Sequence, residues 1–235
     1  MPAFGLDLRK HALTPQEWGN GAFTDFWIFG TVNGMLTAGN AHELSDYGWT
    51  TTALSLTAGT GADFGDSADV GTPGGINFDA ASDLLESPEM FGDYAHMRMA
   101  QSLLGYLPTK LIIECYAAIT GTTNETATGF GFAEAGGSPI VATGAMAMII
   151  KDGTNFVCRS GADSDVGALI DSNWHVFKIV VTAGATADAI EWFIDGASQG
   201  TLDRQTDLWP VSFGGGVQSG GANGMVLTWA HIYYE

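Results

Sequence analysis

Basic residues are scarce in this chain. Eight Lys and Arg face 26 Asp and Glu over 235 residues, a formal net charge of −18. Such a field repels phosphates and anionic lipid heads, so nucleic acid and membrane surfaces are excluded as partners. Cysteine is nearly absent too. Cys115 and Cys158 stand in separate apolar runs, too few for a disulfide framework, and read as buried free thiols. No run approaches the roughly 20 apolar residues of a membrane helix. No apolar stretch behind Arg9-Lys10 is long enough for a secretory leader. The expectation is a chain made in the cytoplasm that leaves a cell only by lysis or within a particle.

Motifs of catalysis and metal binding are missing as well. The histidines, His11, His42, His96, His175 and His231, form no H-x-x-x-H or H-x-H pair, so a zinc site is not expected. There is no phosphate-cradling G-x-x-x-x-G-K-[ST] and no G-x-S-x-G, and neither Ser160 nor Ser172 has a recognisable His/Asp frame. His175 and His231 lie in strand-like runs, where backbone or tyrosine partners are the expectation.

What is present is apolar and rich in turns. Hydrophobic residues make up 46% and charged residues only 14%, enough for a sizeable core. The 33 glycines follow no fixed period and punctuate many short runs. Strands are expected at Thr24–Val32, Tyr47–Thr57, Gly74–Asp79, Lys110–Thr120, Thr128–Glu134, Gly144–Ile150 and Gly224–Tyr234. Asp152-Gly153 between two β runs marks a hairpin. Leu111, Ile113, Cys115, Ala117 and Ile119 share one face of their strand; Met225, Leu227, Trp229, His231 and Tyr233 are expected to share one face of the last. Ser82–Gly92 reads as about one helical turn, limited by Pro88. Ten to thirteen strands with almost no helix mean a sandwich or barrel.

The most informative run is NWHVFKIVVTAGATADAIEWFIDGASQG, from Asn173 to Gly200. Two strands flank a small-residue turn, and Ile194-Asp195-Gly196 turns back into a third. Asn173–Val181 is apolar at almost every position, as in a strand buried on both faces or at a sheet-to-sheet core. Ile190, Trp192 and Ile194 alternate against Glu191, Phe193 and Asp195. This run resembles the late strands of laminin-G and concanavalin A-like domains, and the resemblance extends over roughly residues 105–235. It implies an all-β, two-sheet antiparallel jelly-roll sandwich of the concanavalin A-like kind. Residues 23–235 are expected to form one such domain, preceded by an extended arm over residues 1–22.

Glycoside hydrolases that share this fold carry paired acids in a pattern like E-x-D-x-x-E, and no segment here matches it. The chain therefore reads as no enzyme. No cofactor is called for, although calcium is the ion that acidic loops can hold: Asp163 and Asp165 in one, Asp63, Asp66 and Asp69 in another. Trp49 and Trp209, nearest to loops, are the candidates for stacking on a glycan. Phe4, Leu6, Leu8 and Trp18, with Arg9 and Lys10, equip the arm to dock on a particle. The first expectation is a virion structural protein, a capsid decoration or a fibre or tail subunit, working as a homo-oligomer against capsid or tail proteins. The alternatives are a lectin-like carbohydrate-binding module and, behind it, a glycan-active hydrolase.

Overall fold

The computed structural model describes residues 24–28, 50–52, 55–57, 75–78, 84–86, 105, 109–119, 128–134, 145–184, 186–204, 211–217 and 225–235. The arm, Trp49, Trp209, Asp63, Asp66 and Asp69 lie outside the described residues.

Among the described residues the chain forms strands and no helix. The first seven are β1 (Thr24–Ile28), β2 (Thr50–Thr52), β3 (Ser55–Thr57), β4 (Gly75–Phe78), β5 (Leu84–Glu86), β6 (Lys110–Ile119) and β7 (Thr128–Glu134). There follow β8 (Ala145–Asp152), β9 (Asn155–Ser160), β10 (Asp163–Leu169), β11 (Trp174–Thr182), β12 (Ile190–Ile194), β13 (Ala197–Leu202), β14 (Val211–Val217) and β15 (Met225–Tyr234). One sheet runs β13-β12-β11-β6-β15-β4-β3, with β1 beside the second half of β15. The other runs β10-β9-β8-β7-β14-β5-β2. Every pairing is antiparallel, and the two layers enclose one apolar interior, as the sequence leads one to expect.

Local chemistry explains the turns. Gly153, at φ 63°, opens the two-residue β8–β9 loop. Asp195 and Gly196, at φ 49° and 79°, join β12 to β13 in the manner of a type I′ turn, where Asp-Gly is favoured because both central residues need positive φ.

The core is filled by the alternation of the strands. Leu111, Ile113, Cys115, Ala117 and Ile119 from β6 meet Phe177, Ile179 and Val181 from β11 and Ile190, Trp192 and Ile194 from β12. Phe130, Phe132, Phe156 and Cys158 come from the facing sheet. Phe130 and Phe156 both pack edge-on against Phe177, with ring centroids 5.3 and 5.1 Å apart. Both cysteines are buried free thiols; burial pushes each thiol up, so neither is a ready nucleophile at neutral pH.

Four local expectations are corrected. β11 is buried on the face toward the other sheet and not on both faces, since Trp174, Val176, Lys178 and Val180 are only half-buried, so of the two readings of this run the sheet-to-sheet one holds. Within Ser82–Gly92, read as a helical turn, Leu84–Glu86 form strand β5, and Leu85 fills the core. Tyr47–Thr57 is not one strand: β2 and β3 belong to opposite sheets.

The fourth correction concerns β15. Its register on β6 shifts between Leu227 and Trp229, inserting Thr228 as a bulge. Met225 and Leu227 face the core before the bulge, and Ala230 and Ile232 face it after. Trp229, His231 and Tyr233 are thereby turned to the outer face. Thr228 is buried, and its Oγ1 has no hydrogen-bond partner among the described residues, a polar cost that the bulge imposes.

Candidate functional site

The bulge assembles the feature with the most chemical content. On the outer face of the eight-stranded sheet, Val176, Tyr116 and Trp229 lie opposite one another in the first row. The next row is Lys178, Glu114 and His231, and the third is Val180, Ile112 and Tyr233. Trp174, two residues before Val176 on β11, joins the first row from the diagonal. Its ring centroid lies 5.2 Å from that of Tyr116, and Trp229 lies 6.3 Å from Tyr116 on the other side. The interplanar angles are 31° and 20°. All three rings are half-buried, so each retains surface facing water.

A polar network borders this aromatic row. Lys178 Nζ lies 3.1 Å from Glu114 Oε1, and the Tyr233 hydroxyl donates to the same oxygen at 3.1 Å. Lys178 also reaches the Tyr233 hydroxyl at 3.4 Å. Burial opposes the charge on Lys178, but the Glu114 and Tyr233 contacts outweigh it and hold its pKa up, so it remains a cation. Burial raises the Tyr233 phenol and, separately, the Tyr116 phenol. His231 stacks on Tyr233 with centroids 4.6 Å apart. Burial lowers its proton affinity, which keeps the imidazole neutral at pH 7.

A second constellation sits at the start of β11. The His175 ring is held between two carboxylates, with Nδ1 2.6 Å from Asp195 Oδ2 and Nε2 2.8 Å from Asp171 Oδ1. Asp195 Oδ1 also accepts the Val176 N–H, and Asp171 Oδ1 accepts the Asn173 N–H. The expectation that His175 meets a backbone or tyrosine partner is corrected: its partners are two acids. Burial works against the imidazolium, but the hydrogen bonds to Asp195 and Asp171 prevail and raise its pKa. The His175 bond and the Asn173 N–H hold Asp171 down to about 2. Both ring nitrogens are engaged, so His175 does not serve as a general base for Ser172.

Asp163 and Asp165 lie on edge strand β10, not in a loop. Asp165 Oδ2 accepts the Trp192 indole N–H at 2.8 Å, and Asp163 Oδ2 accepts the Asp203 N–H at 3.2 Å. Among the described residues no three His, Cys, Asp or Glu side chains converge as a metal site. Trp174 and Trp229, in strands whose pattern is core-like, are the tryptophans with a described burial that reach a surface. The signal for Trp174 was Lys178, in step with it along β11.

No family model matches the chain, and no curated protein matches it in sequence. Its fold is similar to that of the conserved carbohydrate esterase from Shiga toxin-encoding bacteriophage phi24B. The TM-score is 0.51 at 11% identity, covering 90% of this chain and 100% of that one. It is also similar to Trypanosoma rangeli sialidase, with TM-score 0.51 and 12% identity over 92% of this chain; the match spans 30% of the sialidase. The chain thus has a two-sheet β-sandwich found in proteins named for carbohydrate chemistry. These neighbours overturn the expectation that the chain is no enzyme. The sandwich is shared with enzymes, and a missing acid-pair motif does not exclude catalysis on it.

Proposed function

We propose that this chain binds a carbohydrate on the outer face of its eight-stranded sheet. The observation that carries the reading is the Trp174–Tyr116–Trp229 row with Glu114, Lys178 and Tyr233 beside it. Aromatic rings supply the apolar surface that a sugar's C–H face seeks, and a few convergent polar groups orient its hydroxyls. The carbohydrate chemistry named for both fold neighbours supports the reading. Trp174→Ala and Trp229→Ala are each expected to weaken glycan binding at least about tenfold, as the loss of a central aromatic anchor does. Because both rings are half-buried, the variants should retain the parent's far-UV circular dichroism. Unchanged affinity in both variants, measured by calorimetry on a glycan selected from an array, refutes the proposal.

A finer reading makes the chain a component of a phage particle, attached through residues 1–22 and carrying residues 23–235 as its exposed domain. Support comes from the apolar residues Phe4, Leu6, Leu8 and Trp18 beside Arg9 and Lys10, in a chain otherwise strongly acidic. The bacteriophage source of one fold neighbour adds to it. Removing residues 1–22 is expected to abolish co-sedimentation with particles while leaving the β-rich circular dichroism spectrum intact. Undiminished co-sedimentation of the shortened chain sinks the arm hypothesis.

A further inference from the structure

We infer that the outer face selects an uncharged glycan over one bearing carboxylates, and that Glu114 sets this choice; the inference rests on the carbohydrate-binding reading above. The described residues of this face include two lysines, and each is answered by an acid. Lys178 lies 3.1 Å from Glu114 and Lys110 lies 3.8 Å from Glu235. Glu191, whose Oε1 accepts the Ser198 hydroxyl, adds a further negative charge to the same side of β12. A uronate or sialate carboxylate therefore meets no unanswered cation among these residues. To reach Lys178 it must displace Glu114, bringing two like charges together in a molecule whose net charge is already −18.

A neutral sugar meets no such conflict. A carboxylate offers about four acceptor positions, and Lys178 and Tyr233 account for two at Glu114. The ammonium has three donors, of which Glu114 and the Tyr233 hydroxyl take two. A hydroxyl group, which donates and accepts at once, can join both partners without separating them. Both side chains keep surface for this, 31% exposed for Lys178 and 28% for Glu114. The neutral state of His231 at pH 7 removes the other cation that an acidic sugar would use.

The test measures the full chain against neutral oligosaccharides (gluco-, galacto- and N-acetylglucosamine series) and against acidic ones (sialyllactose and oligogalacturonate) at low salt. Binding to at least one neutral series, about tenfold or more tighter than to either acid, is expected. Glu114→Gln is nearly isosteric and keeps an oxygen to accept from Tyr233, so its thermal unfolding should match the parent's. It leaves Lys178 unanswered, so the preference should move toward the acidic glycans by about tenfold. If the parent prefers an acidic glycan, and Trp229→Ala abolishes that binding, this inference falls while the carbohydrate-binding reading stands. An unmoved preference in Glu114→Gln removes Glu114 from its assigned role. Failure to bind any glycan sinks both readings.

Discussion

Replacing Trp192 by alanine is expected to lower the free energy of unfolding by about 3–5 kcal/mol, a large share of the roughly 5–15 kcal/mol that holds a typical domain together. The side chain is fully buried in the main core cluster. Its ring also lies against Gly167, where any Cβ would collide with it. The indole N–H donates to Asp165 Oδ2 across the sandwich, from β12 in one sheet to β10 at the edge of the other. Gln199 accepts the Ala168 N–H and Asp163 accepts the Asp203 N–H alongside it. This end of the sandwich is thus closed by side-chain bonds, with Trp192 as the piece that is both packed and bonded. Asp165→Ala isolates the polar component: the buried N–H loses its acceptor, at a cost of about 1–3 kcal/mol. Urea unfolding followed by far-UV circular dichroism measures both variants. A loss below about 1 kcal/mol for Trp192→Ala contradicts the assignment of that residue as a core anchor.

The second large effect depends on pH. Replacing His175 by asparagine should cost about 1–2 kcal/mol at pH 5–6, the worth of two charge-assisted hydrogen bonds discounted for carboxylates that are half exposed. The His175 pKa is raised in the folded state. Its stabilisation is therefore fully present below the unfolded value, about 6.5, and is lost as pH rises through the folded one. Asp171, held down to about 2, and Asp195, also lowered, act in the opposite direction. Their stabilisation is present above the ordinary carboxylate value near 3.9 and is lost as pH falls through their folded values. The triad is strongest between roughly pH 4 and 6.5. Among the described residues, Phe156 and Phe177 are the rings packed on His175, and neither titrates. Denaturation of the parent and His175→Asn at successive pH values checks this. A stability gap that stays constant from pH 5 to pH 9 rules out the ion triad as its origin.

Much of the sandwich was readable from neighbouring residues. Alternation placed Ile190, Trp192 and Ile194 on one face, which the structure turns to the core, and Asp195-Gly196 announced its turn, because strand period and positive φ are local properties. The outer-face site was less legible, for two reasons. The Thr228 bulge reverses which side chains of β15 face outward, and no residue in Gly224–Tyr234 announces it. The continuous apolar character of β11 concealed that one of its faces is only half covered.

Composition and period alone determined that this chain builds antiparallel strands around an apolar core and carries a formal net charge of −18. Those properties depend on each residue's own chemistry and on its near neighbours. Tertiary structure alone decided that Glu114, Lys178 and Tyr233 share one network, that Trp174 and Trp229 flank Tyr116, and that His175 lies between two acids. Residues as far apart as Glu114 and Tyr233 become neighbours only through strand pairing, and a one-residue shift in that pairing moves a side chain from core to surface.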